Sequence, residues 1–161
     1  MKRCNYRSCV IILLIFLLFA FNAKAADIKS EDTSKNAEPS IFEIKNKVKE
    51  VLDNLIDSYT SKNTSRFMSF VAEDAAKDKV IYDRTIINKF HRYDDIELRY
   101  SLNNVTVDST GKMVYVSLNF TRAFTVIKTT KRIVKRGTTE LIFKMVDGKP
   151  MLYIMKKPSM F

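Results

Sequence analysis

The chain contains one histidine, two cysteines and no tryptophan, so few kinds of chemistry are open to it. His91 lies in the polar stretch Lys89-Phe-His-Arg-Tyr-Asp-Asp95. A histidine works as a general base when a pocket encloses it and a partner orients it. Here the surrounding residues read instead as a helix end, where the dipole favours a cationic imidazole. Tyr82 and Asp83 form the second candidate. A Tyr–Asp pair can polarise a carbonyl or move a proton, but Asp83 serves equally as a helix N-cap and Tyr82 as core. Tyr82, Asp83 and His91 are thus the candidate catalytic residues, in a pattern that names no reaction. Asp94 and Asp95 are adjacent and point apart, as at a solvated helix end. A lone histidine without cysteine ligands makes no zinc set, and no cofactor is expected.

The densest polar signal is Lys128, Lys131, Arg132, Lys135 and Arg136, five basic residues in nine positions without an acid. On a hairpin such a cluster meets phosphate or carboxylate groups electrostatically. Charges also guard strand edges against aggregation. No aromatic residue interleaves the run, so single-stranded nucleic acid is not an expected partner. The charge is uneven along the chain. Residues 26–111 hold 13 basic and 16 acidic residues, whereas residues 112–161 hold 11 basic and 2 acidic. This imbalance points to an anionic ligand or an anionic envelope surface as partner.

The first 25 residues concern location. Lys2, Arg3 and Arg7 precede the unbroken apolar run Val10–Phe21, and Ala23-Lys24-Ala25 follows it. Positive flank, apolar core and small-x-small site together make a secretory signal peptide cleaved near Ala25. The run is shorter than the roughly 20 residues of a spanning helix. A periplasmic or secreted chain is expected, with no transmembrane span after cleavage. Cys4 and Cys9 leave with the signal, so the mature chain has no disulfide, thiol nucleophile or lipidation site. Removing Lys2, Arg3, Arg7 and Lys24 leaves 24 basic against 18 acidic residues, a net of +6.

The elements that must position these residues follow from periodicity. Residues 26–39 are a polar, disordered leader. Ser40 and Glu43 form a capping box. Ile41, Ile44, Val48, Val51, Leu52, Leu55, Ile56 and Tyr59 then recur at helical spacing and predict an amphipathic helix. Asn63 or Thr64 caps a short second helix that buries Phe67, Phe70 and Val71. Val80-Ile81-Tyr82 is at most a brief strand. A third helix, capped by Asp83, faces Ile86, Ile87 and Phe90 inward and ends near Tyr93-Asp94-Asp95. From Ile96 the period falls to 2, the mark of strands with one buried face. Turns at 108–112, 128–131 and 147–149 separate four strands, with Gly137 as a bulge. Tyr100, Tyr115, Phe120, Phe124, Phe143 and Tyr153 place aromatics on this sheet. They line a ligand pocket, pack a core, or form a two-fold face for a homodimer.

Helices followed by an antiparallel meander imply an α+β domain over residues 40–161, with N-terminal helices packed on a curved antiparallel sheet. This order resembles the nuclear transport factor 2-like superfamily, also called the SnoaL-like or cystatin-like roll. The stretch Gly137-Thr-Thr-Glu-Leu-Ile-Phe-Lys-Met-Val-Asp-Gly-Lys149 carries the likeness best, as a penultimate strand, a turn and a short last strand. Many members have Trp just after that turn, where this chain has Pro150-Met151. The resemblance implies a cone-shaped roll with a space between helices and sheet, and places Tyr82 and Asp83 where some member enzymes have pocket residues. Members include isomerases, cyclases and dehydratases of hydrophobic substrates, ligand-binding domains and accessory domains. A fold of this kind does not choose among them. The residues favour a binding or accessory domain without catalytic apparatus over a small enzyme.

Overall fold

Ser40 opens the first helix as a true capping box: its Oγ accepts from Glu43 N at 3.2 Å while Glu43 Oε2 accepts from Ser40 N at 2.9 Å. Two otherwise orphaned donors are satisfied reciprocally. The computed structural model describes residues 40–75 and 78–161; the segments expected to be a signal peptide and a leader lie outside the described residues. Helix α1 (Ile41–Thr60) buries Ile44, Val48, Val51, Leu52, Leu55 and Tyr59 along one face. Asn63 Oδ1 accepts from Arg66 N at 2.9 Å and caps the short α2 (Thr64–Met68).

Helix α3 (Lys79–Arg92) starts earlier than its sequence suggests. Asp78, not Asp83, is the N-cap, accepting from Val80 N at 2.9 Å. Val80, Ile81 and Tyr82 are helical rather than a strand, and Val80 and Ile81 point outward at 52% and 54% exposure. The earlier start aligns Tyr82, Ile86 and Phe90 at four-residue spacing, so all three bury on one stripe. The extra strand pairing comes from Val71 instead, through a single parallel bridge to Leu152.

Strands β1 (Tyr93–Val107), β2 (Met113–Val126), β3 (Lys131–Val146) and β4 (Lys149–Met155) form one antiparallel sheet in sequence order. Asp108 closes the first turn by accepting from Lys112 N at 2.9 Å and Met113 N at 3.1 Å. The last turn places Asp147 at φ 49° and Gly148 at φ 72°, the left-handed pair a tight hairpin needs. The register of β1 shifts between Asp94 and Glu97 and again between Leu102 and Asn104. Such irregularities bend a strand and raise its twist, and they curl the sheet around the helices.

Gly137 is not a bulge. It pairs with Phe120 in an unbroken β2–β3 register. Its missing side chain has a packing reason: a Cβ there would lie 3.2 Å from Pro158 Cγ and 3.3 Å from the Phe120 ring. The concave sheet face carries Val114, Val116, Leu118, Phe120, Phe124, Leu141, Phe143 and Leu152, all buried against the helices. The fold is therefore α+β, helices on the concave side of a curled antiparallel sheet. Among the described residues no helix is long and apolar enough to cross a membrane.

Candidate functional site

The space between helices and sheet is filled by the chain itself. Met160 and Phe161 are both 0% exposed. The Phe161 ring lies 5.4 Å from Tyr59 and 5.0 Å from Phe67, each edge-on, and Tyr59 lies 5.3 Å from Phe90. Edge-to-face pairs of this kind add to the stabilisation that area burial gives. Phe120, Phe124 and Phe143 belong to the same core. Tyr100 is half-buried and its hydroxyl donates to Asp53 Oδ1 of α1 at 2.7 Å. Tyr115 lies on the convex face, and Tyr153 is partly buried on β4. The six sheet aromatics thus divide between core, rim and outer face and do not enclose one pocket.

The three candidate catalytic residues also stay apart. Tyr82 is buried, and burial raises its phenol above the ordinary tyrosine range. Asp83, next on the helix, turns partly outward onto a shallow groove with Thr64, Met68, Glu73 and Asp78. His91 is exposed in the last turn of α3, about 12 Å along the helix from Asp83 at the standard rise. Among the described residues no three His, Cys, Asp or Glu side chains are grouped to hold a metal ion.

The basic run divides between both sheet faces. In the β2–β3 register, Lys131 and Lys135 face inward opposite Val126 and Arg122, while Arg132 and Arg136 face outward opposite Thr125 and Thr121. Arg132 is engaged by Glu97 at 2.6 Å on the outer face. Lys128 lines a small groove of ≈ 380 Å³ with His91, Arg92, Tyr93, Phe124 and Lys135.

A second groove, ≈ 910 Å³, adjoins it through Lys135. It lies along β3, where β4 pairs only as far as Leu141. Lys89, Arg122, Lys135, Arg136 and Lys157 line it together with Phe120, Val134, Pro158, Ser159 and Phe161, and no carboxylate side chain does. Arg122, which sequence reasoning passed over, is at its floor at 6% exposure. Its Nη1 donates to Tyr59 Oη at 3.4 Å and to the Met160 carbonyl oxygen at 3.3 Å, and its guanidinium sits 5.1 Å from the Phe124 ring centre. The alternation Val114, Val116, Leu118, Phe120 carries Arg122 inward as its next member, and that signal was present in the sequence.

No protein-family model matches the chain, and no curated protein matches it in sequence. Solved structures do match it in shape. A conserved protein from Planctomyces limnophilus is 13% identical with a TM-score of 0.61, over 68% of this chain and 91% of that one. A candidate scytalone dehydratase from Novosphingobium aromaticivorans is 11% identical with a TM-score of 0.62, over 70% and 80%. A nuclear transport factor 2-like protein of unknown function from Shewanella oneidensis is 8% identical with a TM-score of 0.53, over 70% and 96%. Likeness at this identity is one of fold: the chain is similar in structure to the nuclear transport factor 2-like, or cystatin-like, roll.

Proposed function

We propose that this chain is an exported binding domain that holds an anionic ligand in the groove along β3, without catalysing a reaction on it. One observation carries the reading. The groove is lined by Arg122, Lys135, Arg136 and Lys157 among apolar residues and by no Asp or Glu, with Lys89 engaged by the Phe161 oxygen, while the interior of the roll is occupied by Tyr59, Phe67, Phe90 and Phe161. A concave apolar surface with a few convergent polar groups is the usual form of a ligand site. Export rests on the signal pattern of the first 25 residues. The enzyme reading draws on neighbours such as the candidate scytalone dehydratase. It needs an ionisable group inside an open pocket, and Tyr82, Asp83 and His91 supply none together.

The test is fluorescence titration of the full chain with anilinonaphthalene sulfonate, an apolar anion. Wild type binds it, and binding weakens as salt rises because surface charges are screened. Lys135→Ser with Arg136→Ser loses most of the affinity, and Asp83→Asn leaves it intact. Affinity unchanged in the double variant overturns the assignment of the groove. Salt-sensitive binding to anionic vesicles with no binding of the small probe replaces the ligand reading with a membrane-surface one.

A further inference from the structure

Arg122 and Lys135 are directly opposed across the β2–β3 ladder. Both lie on the concave face and both line the groove. Like charges placed opposite each other on one sheet face destabilise it. Burial of one of them raises the cost, because a desolvated cation needs a counter-charge. Neither receives one: Arg122, Lys135, Arg136 and Lys157 form no ion pair with any carboxylate among the described residues. Arg122 Nε is buried without a hydrogen-bond partner. What offsets the charge is neutral: the two Arg122 Nη1 hydrogen bonds to Tyr59 and Met160, and the Phe124 ring, whose centre lies 5.1 Å from the Arg122 guanidinium and 5.9 Å from Lys135 Nζ. A ring quadrupole offsets only part of a cation's desolvation.

We infer that the Arg122–Lys135 pair is the anion-holding subsite of the groove, and that its ligand is a phosphate monoester carrying an apolar group. The inference rests on the binding reading above and names its ligand class. Two opposed cations, with Lys157 also on the groove lining, match a dianion better than the single charge of a carboxylate. Arginine's planar fork suits phosphate oxygens, and Lys135 adds a point charge. Phe120, Val134 and Pro158 on the groove wall give the ester's apolar group a surface to cover. A group as deep as Arg122 is reached by a small molecule and not by a flat bilayer.

The experiment is thermal unfolding of the full chain at pH 7 in phenyl phosphate, inorganic phosphate or benzoate, with chloride balancing ionic strength. A ligand that binds only the folded state raises Tm by mass action. Phenyl phosphate raises Tm by about 4 °C at saturating concentration, inorganic phosphate by less, and benzoate least. Lys135→Met and Arg122→Met each weaken phenyl phosphate binding at least about tenfold, the loss of one charge-assisted contact. Lys112→Met, in the β1–β2 turn, changes nothing. Because Arg122→Met removes two hydrogen bonds, Lys135→Met is the deciding variant: Lys135 is exposed and makes no hydrogen bond the fold depends on. No phosphate-dependent shift in wild type, or an equal shift in Lys135→Met, overturns the subsite. If benzoate or anilinonaphthalene sulfonate still binds in a Lys135-dependent way, the groove stands and only the phosphate assignment falls. If no anion binds at all, both fall.

Discussion

Arg122 Nη1 donates to the main-chain oxygen of Met160 at 3.3 Å, tying the middle of β2 to the segment that follows β4. The same segment is anchored beyond that contact. Lys89 of α3 donates to the Phe161 oxygen, and Ser159 Oγ donates to it at 2.6 Å. Pro158 packs over Gly137. Residues 158–161 are therefore held against the body of the roll, with Met160 and Phe161 buried in the core between helices and sheet.

Replacing the Phe161 ring with a methyl group tests how much this burial matters. Phe161 is fully buried among Tyr59, Phe67 and the rest of the core. Phe161→Ala loses both transfer energy and packing, and is expected to cost about 3–5 kcal/mol. Urea denaturation reads this as a lower midpoint at an unchanged slope. Phe42→Ala is the control: at 69% exposure Phe42 has little to lose, and its cost stays within about 0.5 kcal/mol. Equal midpoints for the two variants would show that Phe161 does not pack as described.

The start of α3 makes a sharper prediction about two aspartates. Asp78 accepts from Val80 N, whereas Asp83 lies within the second turn of the helix. Asp78→Ala is expected to destabilise the protein by about 1 kcal/mol, the usual value of a lost N-cap. Asp83→Ala is expected to be neutral to within about 0.5 kcal/mol. Chemical denaturation of the two variants side by side decides it, and the reverse order would move the helix start to Asp83.

These comparisons mark where the sequence was readable. The apolar spacing from Ile44 to Tyr59 and the Ser40–Glu43 pair specify α1 locally, since both signals lie within one element. Strand alternation and the Asp-Gly turn specify the meander for the same reason. The start of α3 was obscured because Val80 and Ile81 are apolar yet exposed, so composition imitated a strand. Gly137 was misread because its constraint comes from Pro158, distant in sequence. The candidate site depends on long-range placement. The basic run is conspicuous, but pairing sends Arg132 to Glu97 on the outer face and sets Lys135 opposite Arg122. No local pattern marks Met160 and Phe161 as core, because a four-residue tail has no period to read.

Alkaline pH is the last lever, and its direction follows from three tyrosines. Tyr59, Tyr82 and Tyr100 are all held above the ordinary tyrosine pKa of 10.0. Burial is the main cause in each, opposed at Tyr59 by the Arg122 charge and reinforced at Tyr100 by its bond to the Asp53 carboxylate. A phenol raised in the folded state keeps its proton while the unfolded chain gives its proton up. Below pH about 10 both states are protonated and the contribution of each phenol is complete. As pH climbs past that value the unfolded state is favoured, and the contribution fades until the folded phenol ionises as well. Urea midpoints should therefore fall between about pH 10 and 12. Tyr100→Phe removes one titrating group and its bond to Asp53, so its midpoint begins lower at neutral pH, by about 1 kcal/mol for one hydrogen bond, but declines less steeply above pH 10. Parallel pH profiles for wild type and Tyr100→Phe would show that Tyr100 titrates alike in both states, and would remove the Asp53 contact as a tie between α1 and β1.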